Sequence, residues 1–585
     1  MAIYRSDQAQ LTFAVEAAPG GYPEMVTLAG VTNGSGTAAF NLAAGQPAGS
    51  RSLTVDGLSS STEIPVGSFI RIGTVDTKNS EIRKVEFVDG TTGLVLDTPT
   101  GFHHDDDTAI QVVTGVSSVD ANKYLTFVPG VYETVETPDP EMAIEPRYYL
   151  GTTSKRNPYQ FLKGQQTYTG SVGGFVLLDG RALRFPIGKV TSLPLRADAT
   201  TVAYLATPAL TLNMNSPSGR GAKKGDVFIT VSDGTSLVVD DYIVIFGAAS
   251  VTSATSLATV EINKVRAKST HIIQLDTPLQ FDHIHGASVR EVDIANLDHY
   301  KHEIFETVDL DSVSWHVHVR DSSETDANDF DRRYHGGKIG NISLSAEEGG
   351  LVTCGWDGVN FLGMNHNQKL SRTQPLTGGD AIADLNVPFY TLMQPIRNAD
   401  VSAPGTISAT AAAEPYYFSG GQVKLFGSVI ARVRSFSLSI NNNEEPRYYL
   451  KRTMGRHRGP SEILEQRREY TCSVTLALPD ATTNVVAATN IFKELLLEGD
   501  YGSGMQGFNI ELRFDRGTND NIIIRIPDDY TGTAGTGATT GGNQQGAFIN
   551  TASHAITEAN PMEVEAEVLF RNLKVIINDD IAVYP

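Results

Sequence analysis

The 585-residue sequence predicts a mainly β chain, built from two β-sandwich or barrel modules, each with a flanking helix, and two small inserted β-domains. Short Val, Ile, Thr and Phe runs are separated by Gly, Asn, Asp and Ser clusters in a chain with 55 glycines and 26 prolines, the pattern of many short strands joined by turns. The hexapeptide EPRYYL occurs at 145–150 and again at 445–450, and FLKGQQTYTGSV at 161–172 matches ILEQRREYTCSV at 463–474 with Tyr168 over Tyr470. A second pair of segments, 89–113 and 268–292, sets LDTP at 96–99 over LDTP at 275–278, Phe102 over Phe281, His104 over His283 and Ile110 over Val289. Repeats of this kind mean that one structural unit is used twice.

Taken in order, the repeats divide the chain. FIRIG (69–73) and YIVIFG (242–247) read as equivalent strands, each followed by another, SEIRKVEFV (80–88) and ATVEINKVRA (258–267). The expected organisation is module A in two parts, 1–29 and 115–209, insert one at 30–114, insert two at 210–294, and module B at 295–585. In module B, Val313, Trp315, Val317 and Val319 alternate with Ser314, His316, His318 and Arg320. Phe436, Leu438 and Ile440 alternate with serines, Phe508, Ile510, Leu512 and Phe514 repeat the period, and Val564, Ala566 and Val568 alternate with Glu563, Glu565 and Glu567. A period of two gives each strand one buried and one wet face. A helix is expected over 485–498, where Val485, Ala488, Phe492, Leu495 and Leu496 form one stripe between Asn484 and Gly499. The longest loops are 321–333, 364–415 and 531–546, and loops of this length usually contact something else.

Composition narrows the function. With 67 acidic against 46 basic residues the formal charge is −21. That excludes a protein that wraps nucleic acid by neutralising phosphates and suits a surface that nucleic acid passes without sticking; solubility alone explains it equally. No basic leader with an apolar core and no stretch of membrane-spanning length is present, so a soluble protein made inside the cell is expected. Cys354 and Cys472 lie far apart in strand-like runs, which supports neither a disulfide framework nor a zinc site. His103, His104, Asp105, Asp106 and Asp107, with Asp282, His283 and His285 in the matching loop, read as solvated acidic turns in preference to a metal site. His316 and His318 read as part of a wet sheet face. The glycine run at 531–546 has no following lysine and opens no helix, so it is no phosphate loop, and no GxSxG is present. No catalytic residue, cofactor or metal is expected.

The stretches HGGKIGNISLSAEEGGLVTCGWDGV (335–359), YYFSGGQVKLFGSVIARVRSFSLSINNNEEPRYYL (416–450), YTCSVTLAL (470–478) and MEVEAEVLFRNLKVIIND (562–579) resemble a tail tube protein of long-tailed, siphovirus-like bacterial or archaeal viruses. YRSDQAQLTF (4–13) and YTGSVGGFVLLDGRALRFPIG (168–188) resemble its shorter equivalent, without a clear copy of SLSAEEGGLVTCGWDG. The resemblance implies β-sandwich modules with a flanking helix, six to a ring, whose inner strands join into one barrel around a DNA channel. A two-module chain then needs three copies per ring, stacked head to tail. The implied partners are other copies of the chain, a tape-measure protein, tail-tip and terminator proteins, and DNA passing through without specific binding, in a virion tail assembled in the host cytoplasm. The rival reading is a receptor- or carbohydrate-binding tail fibre or baseplate protein; two tryptophans are few for an adhesin.

Basic residues follow both copies of EPRYYL. They are Lys451, Arg452, Arg456, His457, Arg458, Arg467 and Arg468 in one, and Arg147, Lys155, Arg156 and Lys163 in the other. These segments are expected to dock on an acidic surface of an adjacent ring, such as the loop with Asp321, Glu324, Asp326, Asp329 and Asp331, or to remain solvated. Arg147, Tyr148, Tyr149, Arg447, Tyr448 and Tyr449 are contact candidates because paired tyrosines supply large area with a polar tip; core packing is the alternative.

Overall fold

Alternation settles the faces of the long strands. Phe436, Leu438 and Ile440 are buried while Ser437 is exposed, and Ile510, Leu512, Phe514, Ala566 and Val568 are buried as their period requires. The computed structural model describes residues 4–16, 30–32, 40–47, 49–66, 68–73, 81–96, 100, 103–114, 126–127, 130–131, 134–148, 158, 160–212, 222–247, 259–268, 271–321, 330–366, 415–425, 428–430, 433–449, 459–477, 509–530, 547–554 and 563–584. The helix expected at 485–498 and the glycine run at 531–546 lie outside these residues.

The protein is mainly β. Its largest sheet follows the order Gly130–Val131, Thr169–Leu177, Thr353–Asn360, Phe330–Glu347, Val433–Asn441, Glu469–Ala477, Glu563–Leu569, Phe548–His554, and Val135–Glu136 also lies along Thr169–Leu177. The 18-residue strand Phe330–Glu347 serves two layers. Its second half pairs with Thr353–Asn360 and Val433–Asn441, and its first half with Val313–Asp321 and Gly363–His366. The corner falls at Gly336, whose φ of 68° favours glycine, and at Gly337, where a Cβ would lie 2.4 Å from the Phe361 ring. Tyr4–Val15 pairs with Val313–Asp321 in turn.

A second sheet runs Gly188–Leu195, His299–Glu306, Lys574–Asp579, Asp520–Ile526, Ile510–Gly517, Gly421–Leu425, Ser428–Ile430. The two sheets enclose one core: Ile342, Leu344, Leu438 and Ile440 face Ile524, Leu573 and Val575 across it. Both tryptophans sit there. Phe13 packs edge-on to Trp315 and Trp356, with ring centroids 5.3 and 5.1 Å apart. The helix Arg181–Ile187 contributes Leu183 and Ile187 to this core and has all seven residues buried. Full burial leaves no amphipathic stripe, so periodicity does not mark it. Ser314, expected on a wet face, is buried because its hydroxyl donates to Glu16, brought over it by the end of the N-terminal strand.

Residues 30–114 form a separate sheet in which Phe69–Ile72 pairs with both Glu81–Asp89 and Ala109–Thr114, closing the strands into a small barrel with its own core. Residues 210–291 form a six-stranded counterpart. Ile72 lies opposite Glu81 and Ile245 opposite Glu261; Ile72 also faces Ile110, as Ile245 faces Val289. Each second strand has a register irregularity just after an equivalent valine, Val85 or Val265. The two domains meet through Phe69, Ile82, Phe228 and Ile272 and an Arg83–Asp226 ion pair at 3.3 Å. The second is fastened to the main body by Gln280, which accepts from Val190 N at 3.1 Å and donates to the Tyr584 carbonyl at 2.9 Å. Among the described residues no helix is long and apolar enough to cross a membrane.

Candidate assembly site

Three features of the largest sheet could carry an assembly function: its wet face, its two outer edges, and two hairpin arms at one end. The face opposite the core presents Ser343, Ser345, Ser437, Ser439, Thr471 and Ser473 among the carboxylates of Glu136, Glu347, Asp357, Glu469, Glu563, Glu565 and Glu567. Register holds them together, with Glu469 opposite Asn441 and Glu567 opposite Ser473. Arg434, at a register irregularity of its strand, is taken up by Glu348 at 3.0 Å and by Glu563. The face is therefore acidic and hydroxyl-rich, the opposite of a phosphate-binding surface.

The edges of the main path are Val135–Glu136 with Gly130–Val131 at one end and Phe548–His554 at the other, and neither outer side pairs among the described residues. The carbonyl of Thr134 accepts from Gly173 N at 3.2 Å. In an extended strand the next residue's N–H and C=O then point the other way, so those of Val135 face the open edge.

The two EPRYYL segments form the arms. In one, Glu145, Pro146 and Arg147 lie opposite Leu162, Phe161 and Gln160; in the other, Glu445, Pro446 and Arg447 lie opposite Leu464, Ile463 and Glu462. The register is the same, and each arginine closes on its own glutamate, Arg147–Glu145 at 2.7 Å and Arg447–Glu445 at 2.9 Å. These exposed pairs stabilise little. The aromatic tips differ: the Tyr448 hydroxyl donates to the Gln166 carbonyl of the first arm at 3.2 Å, whereas Tyr148 is 64% exposed along with Phe161 at 63% and Ile144 at 57%. Tyr449 is exposed and donates to Glu462 at 2.5 Å. Asp321 pairs through its backbone with Tyr4, and Asp331 through its backbone with His318. Tyr149, Lys451, Arg452, Arg456, Arg458, Glu324, Asp326 and Asp329 lie outside the described residues, as do Lys155, Arg156 and His457.

At the base of the second arm, Lys338 pairs with Glu465, which also accepts from Leu310 N at 3.2 Å. Burial pushes the Glu444 carboxyl beside them up to about 8, against the opposing pull of Asn360 and Lys338. Lys338, Glu444 and Glu465 lie within the repeated and family-like stretches, but spacing and periodicity give none of them a role. An acid that keeps its proton in the fold but ionises near 4.5 in the unfolded chain costs stability progressively as pH rises between those values. Glu444→Gln should therefore leave the melting temperature unchanged at pH 4 and raise it by a few degrees at pH 8, equivalent to roughly 2–4 kcal/mol; an equal shift at both pH values would contradict this.

The histidine loops divide. His103, Asp105, Asp106, Asp107, Asp282 and His285 are exposed, as solvated turns are. His104 and His283 are fully buried instead and bond Glu81 at 2.7 Å and Glu261 at 2.6 Å, because the backbone turns both inward onto an equivalent strand. Two further polar links organise the body. Arg184, on the helix, pairs with Asp311 at 2.5 Å, and Lys224 of the second small barrel reaches the same carboxylate at 2.8 Å. Cys354 and Cys472 are buried and unbridged. Among the described residues no group of three His, Cys, Asp or Glu could hold a metal ion.

The largest sheet thus combines an acidic, hydroxyl-rich face with outer edges that are open among the described residues and with exposed aromatic arms at one end. No curated protein matches the sequence. A family model described as phage tail tube protein matches residues 6–568, nearly the whole chain. The chain thus belongs to the phage tail tube protein family, structural components of the virion tail rather than a class of enzymes.

Proposed function

We propose that this protein is the major tail tube subunit of a long-tailed, siphovirus-like phage, with two fused modules, and that it polymerises as stacked trimeric rings around the channel for genome delivery. One observation carries the reading: the eight strands of the main path divide into two groups of four with matching partners. Val172 lies opposite Trp356 as Val474 lies opposite Ala566, and Thr169 opposite Asn360 as Thr471 opposite Leu569. Ile342 then faces Trp356 as Ala552 faces Ala566, and Val135 faces Val172 as Phe436 faces Val474. Each group carries one arm between its first two strands. These matches support a first module that runs on through Asn360, interrupted by the two small barrels, and a second that begins near Tyr416. The strands 299–360, grouped by sequence with the second module, are then part of the first.

With six modules per ring, three chains join about 24 strands into a barrel roughly 45–50 Å across its backbone, room for a DNA duplex. The acidic face lines the lumen, where it repels phosphate and lets DNA slide. The small barrels project outward, and the tube is assembled in the host cytoplasm with a tape-measure protein and tail-tip and terminator proteins. The basic segment after the second arm docks on an acidic surface of the next ring. Electron microscopy of purified protein over a range of salt tests this: hollow tubes with threefold rings are expected, and compact particles that never stack, even with the tail-tip complex added, would overturn it. In the same assay, reversing Arg452, Arg456 and Arg458 to Glu should abolish tube growth and leave a folded monomer; undiminished growth would remove that docking contact.

A further inference from the structure

An amine, an amide and two carboxyls meet just past the corner of strand Phe330–Glu347. Lys338 lies directly opposite Asn360, which lies directly opposite Thr169, so the three side chains share one face of three adjacent strands. Lys338 is buried and paired with Glu465. Both carboxyl oxygens of Glu444 are shut off from solvent, with Asn360 and Lys338 the groups that draw on them and Glu465 the one that opposes. The Asn360 amide is held in place: its Oδ1 accepts from the Thr169 hydroxyl at 3.0 Å and its Nδ2 donates to the Gly358 carbonyl at 3.2 Å. The equivalent positions in the other half of the sheet show what the fold alone accepts. Phe548 lies opposite Leu569 as Lys338 lies opposite Asn360, and Ile144 and Lys163 take the places of Glu444 and Glu465. Buried ionic groups stabilise a fold no better than well-packed apolar ones, so the polar set calls for a role in chemistry among its own members.

We propose that Lys338 and Asn360 join in an intramolecular isopeptide bond, a covalent clamp between strands Phe330–Glu347 and Thr353–Asn360. Cross-strand partners have Cβ atoms about 5 Å apart, a gap that the flexible lysine stem spans to reach the Asn360 Cγ. Each neighbour has a part. Glu465 takes a proton from the Lys338 ammonium, leaving the amine that attacks Asn360 Cγ. The Thr169 hydroxyl steadies the negative charge that develops on Oδ1. Glu444, its carboxyl pushed up to about 8 by burial, gives its proton to Nδ2 as the Cγ–Nδ2 bond breaks, and recovers one from Nζ. One C–N bond forms and one breaks, the proton on Glu465 leaves with the ammonia as ammonium, and no oxidant or reductant is needed. Loss of ammonia makes the link permanent. The clamp ties the sheet at the corner beside Gly336 and Gly337 and at the base of the second arm, within one chain, so it stands or falls apart from the ring reading.

Intact mass of the purified full chain should fall by one ammonia as the bond closes. After denaturation trypsin should no longer cut at Lys338, and the peptides on either side of a Glu-C cut at Glu347 and Glu348 should stay joined. Lys338→Arg keeps a cation beside Glu465 and should hold the full mass. Asn360→Asp should lose water in place of ammonia and end at the mass of the linked parent, which a merely structural Asn360 does not give. Glu444→Gln should close roughly a hundredfold more slowly with an unchanged circular dichroism spectrum. In a Lys338→Arg background no chain links, and there the melting comparison of Glu444 with Gln reads burial of the carboxyl alone. A parent chain that keeps its full mass and is cut at Lys338, both freshly purified and after long incubation near neutral pH, overturns the clamp. So does a loss of ammonia that persists in Lys338→Arg, which is ring closure of Asn360 onto its own backbone.

Discussion

Replacing Trp356 with alanine is expected to destabilise the protein by about 3–5 kcal/mol, read as a drop in denaturation midpoint with unchanged slope. The side chain is fully buried and is the meeting point of segments far apart in sequence. Phe13 of the N-terminal strand, Phe175 of the neighbouring strand and Phe185 of the helix pack on it with ring centroids at 5.1, 5.7 and 6.5 Å. Its indole N–H donates to the Ala182 carbonyl at 3.2 Å. Truncation removes those contacts together and leaves a carbonyl in a dry core without its donor. A Trp356→Phe variant keeps most of the volume and should lose less than half as much. Equal losses for the two variants would show that the hydrogen bond, and not packing, dominates.

The second large effect is expected at Asp311, where Asp311→Ala should cost about 3–5 kcal/mol by leaving Arg184 buried without its counter-charge. Arg184 is 1% exposed, and burial pulls its guanidinium down while Asp311 pulls it back. Burial alone would raise the Asp311 carboxyl, but Arg184 and Lys224 outweigh it and hold it below its ordinary value. A carboxyl depressed in the fold contributes stability that is present above its unfolded value, near 3.8, and is lost as pH falls through the folded one. Asp311→Asn should accordingly lose stability at pH 7 and converge on the parent in strong acid; a constant difference at all pH values would refute the ion-pair account. Because Lys224 belongs to the second small barrel, the variant should also loosen that barrel's attachment, measurable as faster amide hydrogen exchange over residues 222–230.

Much of this was readable in the residues. The repeated EPRYYL peptides form hairpins of identical register because the same sequence offers the same proline, arginine and glutamate to a partner strand. The alternation in 433–441 and 563–569 identified their core-facing residues, since a period of two has only two faces to choose from. The match of His104 with His283 placed two equivalent positions, yet their burial was not legible: an aspartate-rich neighbourhood reads as solvent, and only Glu81 and Glu261, more than 20 residues upstream, explain why each imidazole turns inward. The helix Arg181–Ile187 escaped periodicity because every side of it is covered.

The sequence by itself determined the β class, the internal repeats, the strand faces and the acidic character of the wet ones, because these depend on residue type and spacing along the chain. Only the tertiary structure decided that Thr169–Leu177 lies beside Thr353–Asn360, that Tyr4–Val15 lies beside Val313–Asp321, and that Arg184 meets Asp311. The reason is physical: alternation tells a strand which face to bury but not which edge to pair with. Backbone N–H and C=O groups are alike in every residue but proline, so the choice of neighbour falls to the packing of side chains such as Phe13, Trp315 and Trp356, brought together from distant parts of the chain.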